Sequence, residues 1–271
     1  MKKLLTMLAL TTLACSCVQN KAPKVLVLYY SQTNNTKTVA EEIQNRLGAD
    51  IEAIVPLDPY AGSYQETIAR CLEEREKGFI PEVRPLSVDI ASYDIIFLGY
   101  PVWFGTYAPP VAGLLDAVDF SGKKLVPFCT FGSGGLDSSI RDLKEKQPKA
   151  EVLPGYGVRA ARIEAVPAEI DRFLKENGFI EGEYEKLDDF SEVRPATEEE
   201  AAIFDAAVGE YPMMHAKAEN VSSRAVPGGM EYLFEARDIP RDPAFGGEPR
   251  LIKVYVLDLE DADPVFTQVI R

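Results

Sequence analysis

The chain has 271 residues, of which 46% are apolar and 27% charged, and these values are typical of a globular protein. Its formal net charge of −14 argues against nucleic acid and anionic membrane surfaces as direct partners. The charge is unevenly spread, because residues 181–271 contain 9 basic and 21 acidic side chains. The length allows one large domain or two modest ones, and the shift in charge near residue 180 favours two.

The first 17 residues have the pattern of an export signal. Two lysines precede an apolar run over residues 4–14, which is too short to span a bilayer comfortably. Small residues then precede a cysteine, which resembles a bacterial lipobox and implies lipidation of Cys15, with Cys17 as the second candidate. The alternative is an ordinary secretory signal with incidental cysteines. We therefore expect a protein exported to the bacterial cell envelope and held there, on its periplasmic or outer side, by a lipid anchor.

Residues 24–48 predict a strand, a polar loop and a helix. The apolar run 25–30 is rich in β-forming residues and too short for a helix, whereas apolar residues recur at helical spacing from Val39 to Leu47. Small hydroxyl and amide side chains fill residues 31–36, which we call the Ser31 loop. A helix N-terminus with such donors beside it predicts an anion site. The alternative is that Thr36 or Ser31 only caps the helix.

Strands and helices continue to alternate as far as Gly178. Strands are predicted at 51–55, 95–99, 125–131 and 151–158, and helices at 63–77, around 111–118, around 140–143 and at 168–177. This alternation predicts an α/β fold with a doubly wound parallel sheet. Pro127 is unfavourable in a central strand, because it has no backbone N–H to donate to a neighbouring strand. We expect Ile68, Cys71 and Leu72 on the inner side of the second helix, and Cys129 in the core.

Two further loops should join the Ser31 loop, because ligands of such sheets bind beyond the carboxyl ends of the strands. Residues 99–110, the Trp103 loop, contain the only tryptophan of the chain among prolines, glycines and further aromatic residues. Such a loop suits stacking on a planar ring, although a packing cluster under a loop is the alternative. Residues 130–136, the Gly132 loop, contain glycines that let backbone N–H groups approach a ligand closely.

These three loops resemble the flavin-binding loops of the flavodoxin-like family. The Ser31 loop is similar to the flavodoxin phosphate loop Ser-x-Thr-Gly-Asn-Thr, with Asn34 at the position of the glycine, and asparagine tolerates a left-handed backbone. The Trp103 loop looks like the Tyr-Pro-Ile-Trp-Trp-Gly loop of one such family. The resemblance implies strand order 2-1-3-4-5 and FMN, rather than FAD, as cofactor. The implied FMN contacts are Ser31, Thr33, Asn34, Asn35, Thr36, Pro101, Val102, Trp103, Phe104, Gly105, Thr130, Gly132, Ser133 and Gly135.

The pattern changes near residue 190 to one helix followed by strands. Thr197 begins a capped helix whose inner face includes Phe204 and Val208, and strands are predicted at 213–226, 230–237, 250–259 and 265–270. One helix and four antiparallel strands resemble a cystatin-like α+β fold. Of the cystatin hairpin Gln-x-Val-x-Gly only Gly229 is kept, which favours a scaffold or adaptor over a protease inhibitor. We call the predicted domains the N-terminal module, 24–180, and the C-terminal module, 190–271.

The sequence therefore predicts an FMN-binding protein that transfers electrons at the cell envelope. No side chain has the setting of a required acid, base or nucleophile, and a single histidine and two mature-chain cysteines predict no metal site. An electron carrier and a quinone- or flavin-type reductase both remain open, with a redox protein or a small quinone as partner. The rival interpretation is a surface adaptor protein, whose C-terminal module binds a partner or protease and whose flavodoxin-like domain is a scaffold.

Overall fold

The computed structural model describes residues 22–209, 211–212, 214–239 and 248–271. The predicted signal segment 1–17, with Cys15 and Cys17, lies outside these ranges, so its lipidation stays a prediction. Among the described residues, no helix has the length and apolar character needed to cross a bilayer.

The N-terminal module is built on a parallel sheet, as the alternation of strands and helices predicts. Its strands are β1 Val25–Tyr29, β2 Asp50–Ala53, β3 Ile95–Trp103, β4 Thr106–Tyr107, β5 Lys124–Phe131, β6 Glu151–Val152 and β7 Tyr156–Arg159. Its helices are α1 Asn35–Leu47, α2 Tyr64–Lys77, α3 Pro109–Ala117, α4 Leu136–Lys146 and α5 Val166–Glu176. The sheet runs β2-β1-β3-β5-β6, with β7 also paired to β5 and β4 forming a short hairpin with β3. The predicted order 2-1-3-4-5 is therefore confirmed, with β6 and β7 sharing the fifth place.

Both faces of this sheet are buried. Successive side chains of a strand point to opposite faces, so Leu26 and Leu28 pack in one core while Val27 packs in the other. In β3, Ile96 and Phe97 divide between the two cores in the same way. Continuous apolar strands are what a sheet covered by helices on both sides requires.

Pro127 explains why the fifth place is split into two strands. It lies in β5, with Leu98 of β3 as its register partner. On the other side, β6 pairs with residues 124–125 of β5 and β7 pairs with residues 128–131. The break at residues 153–155 falls beside Pro127, which has no N–H to offer a neighbouring strand. The proline is accommodated in a central strand because the neighbouring strand is interrupted beside it, between β6 and β7.

The C-terminal module contains one helix and a second, antiparallel sheet. Its elements are β8 Arg194–Pro195, α6 Glu198–Val208, β9 Ala216–Val226, β10 Gly229–Asp238, β11 Arg250–Leu259 and β12 Val265–Ile270. The sheet order is β12-β11-β10-β9-β8, and Phe204 and Val208 of α6 are buried in a third core beneath it. The predicted helix and four strands are confirmed, and β8 is an addition.

Two details of the sequence prediction need correction. Leu72, expected on the inner side of α2, is 51% exposed, whereas Cys71 and the carboxylate-bearing Glu74 are buried. Glu74 is tolerated there because Tyr60 and Arg70 both donate hydrogen bonds to it. In the C-terminal module, β9 begins at Ala216, later than the predicted residue 213, which itself lies outside the described residues.

Candidate functional site

The Ser31 loop joins β1 to α1 through a left-handed residue. Asn34 has φ 68° and ψ −7° and is the N-cap of α1, without any hydrogen bond from its side chain to the helix. A β-carbon disfavours this conformation, and asparagine is among the few residues other than glycine that adopt it readily. Asn34 therefore takes the backbone geometry that the flavodoxin glycine would supply.

The Ser31 hydroxyl is the clearest sign of a ligand site. Its Oγ is buried and has no hydrogen-bond partner among the described residues. A buried hydroxyl without a partner is unfavourable by about 1–3 kcal/mol. Neither hydroxyl caps α1, because that of Ser31 bonds none of the described residues and that of Thr36 bonds Thr130. The arrangement fits a group with acceptor oxygens, such as a phosphate, at the start of α1.

Thr36 links the Ser31 loop to the Gly132 loop. Its side chain is buried, and its Oγ1 shares a 2.8 Å hydrogen bond with Oγ1 of Thr130 at the end of β5. Asn35 is the first residue of α1, whereas Thr33 is exposed. The carboxyl ends of β1 and β5 are thereby brought together at one edge of the sheet, as predicted.

A cavity of about 330 Å³ lies beside the Ser31 loop. It is lined on one side by Ser31, Asn34 and Lys37, and on the other by residues 53–56 and Tyr60 after β2. Lys37, which the sequence did not single out, lines the same cavity, and its ammonium lies 3.5 Å from a carboxylate oxygen of Glu41. Among the described residues, no cluster of acidic, histidine or cysteine side chains could hold a metal ion.

Trp103 packs edge to face against two tyrosines that the sequence analysis did not assign to the site. The ring centroid of Trp103 lies 5.8 Å from Tyr30 and 5.3 Å from Tyr60. Trp103 is partly exposed, so the cluster leaves part of its indole available for another ring. Burial raises the pKa of both tyrosine hydroxyls, and at Tyr60 the hydrogen bond donated to Glu74 raises it further. Both tyrosines are therefore neutral donors at neutral pH.

Gln32 explains how Tyr60 reaches the site. Its side-chain amide donates to the carbonyl oxygen of Tyr60 at 3.1 Å and to Oγ1 of Thr67 in α2 at 2.8 Å. The segment after β2 is thus fastened to the Ser31 loop. No spacing or motif in the sequence connects these distant residues, so this side of the site could not have been predicted.

The Trp103 loop turns sharply just after the tryptophan. Phe104 and Gly105 have φ 53° and 83°, and the Phe104 ring is 46% exposed, with the Arg75 guanidinium 5.2 Å from its centroid. The carbonyl oxygen of Gly105 accepts a hydrogen bond from the Ser138 hydroxyl of α4. Pro101, Val102 and Trp103 belong to β3, which runs four residues beyond its predicted end at residue 99. The loop is therefore fixed at both ends.

The Gly132 loop contacts the Trp103 loop directly. Gly135 has φ 114°, and a β-carbon there would lie 2.5 Å from a methyl group of Val102, so only glycine fits without a shift. This contact, the Ser138 bond and the Thr36–Thr130 bond bring all three predicted loops to the same edge of the sheet. The FMN contacts themselves stay a prediction.

The Gly132 loop also contacts the C-terminal module, which the sequence did not predict. The carbonyl oxygen of Gly132 accepts from Nε of Arg159 at 2.9 Å, and that of Ser133 accepts from the backbone N–H of Val269 at 2.6 Å. Arg159 is only 8% exposed and also donates to the carbonyl oxygen of Phe266 at 2.8 Å. Burial lowers the pKa of Arg159, yet a guanidinium stays protonated in proteins.

These features first define a class of protein. A doubly wound parallel sheet with a polar loop at the start of its first helix, and two further loops at the same edge, is an α/β protein with a ligand site at its topological switch point. The particular family follows from comparison with known proteins. Residues 24–166, more than half of the chain, match the family model described as Flavodoxin, and the chain belongs to the flavodoxin family.

Individual relatives are similar over about half of the chain. A flavodoxin from Synechococcus elongatus is 28% identical over 123 residues, which cover 44% of this chain and 58% of that flavodoxin. The crystal structure of a putative flavoprotein from Bacteroides uniformis has a TM-score of 0.50 at 24% identity and covers 56% of this chain and 99% of that one. A flavoprotein from Lactobacillus acidophilus, solved in complex with FMN, has a TM-score of 0.47 at 24% identity and covers 55% and 97%.

Membership of the flavodoxin family indicates FMN as the cofactor of the site. The residues present fit a flavin mononucleotide. The Ser31 Oγ is buried and bonds no described residue, α1 presents its N-terminus, and Asn34 takes a left-handed turn. An FMN phosphate would satisfy the hydroxyl and the free helical N–H groups together.

Proposed function

We propose that this protein binds FMN and transfers electrons at the cell envelope. The observation that carries the proposal is the buried hydroxyl of Ser31, which has no partner among the described residues and lies at the start of α1. Bound FMN would supply one- and two-electron redox chemistry, while the protein supplies binding, orientation and electrostatics. Family membership and the convergence of three loops support the same conclusion.

Each loop has a separate task in this proposal. Ser31, Thr33, Asn35 and Thr36 hold the phosphate by hydroxyl, amide and backbone donors, and Asn34 supplies the turn. Trp103 faces the isoalloxazine ring with the part of its indole that Tyr30 and Tyr60 leave open. The backbone from Pro101 to Gly105 and from Gly132 to Gly135 bonds the edge of the ring, together with Thr130. Such bonds tune how readily the ring accepts electrons.

A carrier and a reductase differ in what the loaded protein does with small molecules. We favour a carrier, because no dinucleotide fingerprint is present in the sequence. The test is to load the full chain with FMN and measure NADH or NADPH oxidation with a quinone acceptor. A carrier shows rates no higher than free FMN, while still exchanging electrons with a chemical reductant. Turnover well above free FMN would instead make the protein a reductase.

The envelope location is proposed from the N-terminal signal alone. Cys15 would receive the lipid after cleavage, and FMN would be acquired outside the cytoplasm. Metabolic labelling with a radioactive fatty acid tests this directly in wild type, Cys15→Ala and Cys17→Ala. Label that disappears only with Cys15→Ala supports the anchor at Cys15. Label that is absent from wild type would contradict the anchor.

The adaptor function is the second candidate, and the exposed tip of the β9–β10 hairpin favours it. Pro227 and Gly228 at this tip are exposed, and Gly228 has φ 76°. This hairpin lies where a cystatin-like fold would present its inhibitory turn, and both that likeness and the adaptor role stay predictions. Inhibition of a papain-like protease by the full chain, lost on replacing the hairpin tip, would support the inhibitor form. We expect no inhibition, because only one residue of the inhibitory motif is kept.

A further inference from the structure

The C-terminal module touches the N-terminal module at the loop that is proposed to bind the ring edge of FMN. Gly134 lies against β12 so closely that a β-carbon on it would be 2.1 Å from the carbonyl oxygen of Val269. Real β-carbons essentially never come within 3.0 Å of such an atom. The φ angle of Gly134 is not in the left-handed region, so glycine is needed there for space and not for backbone freedom.

Hydrogen bonds from β12 and from Arg159 of β7 fix the same loop. Val269 of β12 donates its N–H to the Ser133 carbonyl oxygen, and the Arg271 guanidinium reaches the Ser133 hydroxyl at 3.1 Å. Arg159, at the end of β7, donates to Gly132 and to Phe266 with two different nitrogens. Its guanidinium also lies 3.4 Å from the centroid of the Phe266 ring. One buried side chain therefore ties the loop to β12.

The orientation of the loop follows from these bonds. No described peptide bond is cis, and in a trans peptide the N–H points away from the carbonyl of the same unit. The carbonyl oxygens of Gly132 and Ser133 are directed toward Arg159 and β12. The N–H groups of Ser133 and Gly134 therefore point to the opposite side. Backbone N–H groups held in this way are suited to donate to the edge of a flavin ring.

We propose that β12 and Arg159 hold the Gly132 loop in its ring-binding conformation, so that FMN binding and docking of the C-terminal module are thermodynamically coupled. This inference rests on the proposed FMN site and adds a role for the C-terminal module. Arg159 is a positioning residue, because it acts through the backbone of the loop. Coupling free energies between two sites correspond to factors of about 5 to 150 in affinity, and the effect is reciprocal.

The first test needs no variant. Hydrogen exchange of the full-length protein is measured with and without saturating FMN. FMN is expected to slow exchange at the Val269 amide by about 5-fold or more, while the β9–β10 amides within the same module change little. Unchanged exchange over residues 265–270 on binding FMN would overturn the coupling.

The second test is Gly134→Ala, read as the dissociation constant for FMN. The new methyl group forces β12 away from the loop, and we expect FMN to bind about 5- to 150-fold more weakly. The matched control is Gly113→Ala in α3, where a β-carbon would also lie 2.1 Å from a backbone oxygen, that of Pro81, far from β12. The control should keep wild-type affinity. Equal affinity of Gly134→Ala and wild type would contradict the inference.

Arg159→Lys gives an independent variant if Gly134→Ala does not fold. Lysine keeps the charge but cannot bond the carbonyl oxygens of Gly132 and Phe266 at the same time with the geometry of a guanidinium. FMN affinity should therefore fall, while the free energy of unfolding changes less. A wild-type protein that binds no FMN would overturn the proposed function itself. A wild-type protein that binds FMN without any response in β12 would overturn only the coupling.

Discussion

Ser31 is the residue on which the FMN proposal depends most. Its hydroxyl is buried and has no partner among the described residues, and such a polar group is unfavourable until something completes its hydrogen bonding. Proteins keep such groups where a ligand completes the hydrogen bonding. Removing this hydroxyl should weaken FMN binding but should not lower the stability of the protein, and this combination makes the residue informative.

Replacing Ser31 by alanine should therefore weaken FMN binding without weakening the protein. A hydrogen bond to a charged phosphate contributes about 1.5–3 kcal/mol, which predicts roughly 10- to 100-fold weaker binding. The unfolding free energy of the ligand-free variant should equal or exceed that of wild type. Urea unfolding and an FMN titration measure the two quantities.

The control for this variant is Ser139→Ala. Ser139 is also buried, but its hydroxyl bonds the carbonyl oxygen of Leu136 and the hydroxyl of Tyr100. Its loss should lower the unfolding free energy by about 1 kcal/mol. A Ser31→Ala protein destabilised as much as Ser139→Ala, with unchanged FMN affinity, would contradict a binding role for Ser31.

Substitutions of Asn34 test the contribution of its left-handed backbone separately from that of its side chain. At φ 68° alanine should cost about 1 kcal/mol in unfolding free energy, because its β-carbon opposes the left-handed conformation. The Asn34→Gly variant should unfold at the same urea concentration as wild type or at a higher one, and it should bind FMN with unchanged affinity. If alanine and glycine at this position were equally stable, the left-handed turn would not be present in solution.

At the scale of elements, α6 is fixed by a capping box reinforced by an arginine. Thr197 and Glu200 bond one another's backbone N–H groups, and Arg194 donates to both carboxylate oxygens of Glu200 at 2.7 and 2.6 Å. Mainly because of Arg194, the pKa of Glu200 is lowered from 4.5 to about 2. The ionised carboxylate thus belongs to the folded state.

This shift gives the C-terminal module a defined dependence on pH. Because the pKa of Glu200 is lower in the folded state, its ionised carboxylate stabilises the folded state fully above about pH 4.5. This stabilisation disappears as the pH falls toward 2. Glu200→Gln should therefore lower the unfolding free energy by about 2 kcal/mol at neutral pH, and the difference from wild type should shrink over that range.

Far-UV circular dichroism during urea unfolding measures this difference, while Trp103 fluorescence reports the N-terminal module separately. Glu66→Gln is the matched control, because Glu66 forms the equivalent capping box with Ser63 at an exposed site of α2. Its effect should be smaller. A difference between wild type and Glu200→Gln that persists unchanged to pH 2 would contradict the assigned role.

The elements were more predictable than the contacts between them. The apolar runs of β1, β3 and β5 and the helical spacing in α1 and α6 are local signals, and the structure confirms them. The Ser31, Trp103 and Gly132 loops were placed correctly at one edge because strand order determines which carboxyl ends meet. The split into β6 and β7 was not anticipated, although Pro127 was the available signal.

The missed parts of the site depend on contacts between residues distant in sequence. Tyr60 joins Trp103 through a bond from Gln32, and β12 reaches the Gly132 loop more than a hundred residues later in the chain. Neither contact has a motif, because a single carbonyl or aromatic edge carries no sequence signature. Leu72 was misplaced because Glu74, satisfied by Tyr60 and Arg70, takes the buried position instead.

In the whole molecule, the acidic C-terminal module is in direct contact with the N-terminal module at the proposed FMN site. It packs on the Gly132 loop and on β7 of the N-terminal module, with Arg159 as a buried link. A flavodoxin fold alone would expose this side of the Gly132 loop to solvent. The second sheet therefore lies against the loop that is proposed to bind the ring edge of FMN.

FMN binding is best tested by titrating the full chain with FMN and following the fluorescence of its only tryptophan. Because Trp103 lies in the proposed ring-binding loop, binding should quench its emission saturably at one FMN per chain, and Ser31→Ala should shift the curve to higher concentration. A free tryptophan derivative, titrated in parallel, corrects for absorption of light by FMN. Emission from Trp103 that shows no quenching beyond this control at tens of micromolar FMN would contradict the account.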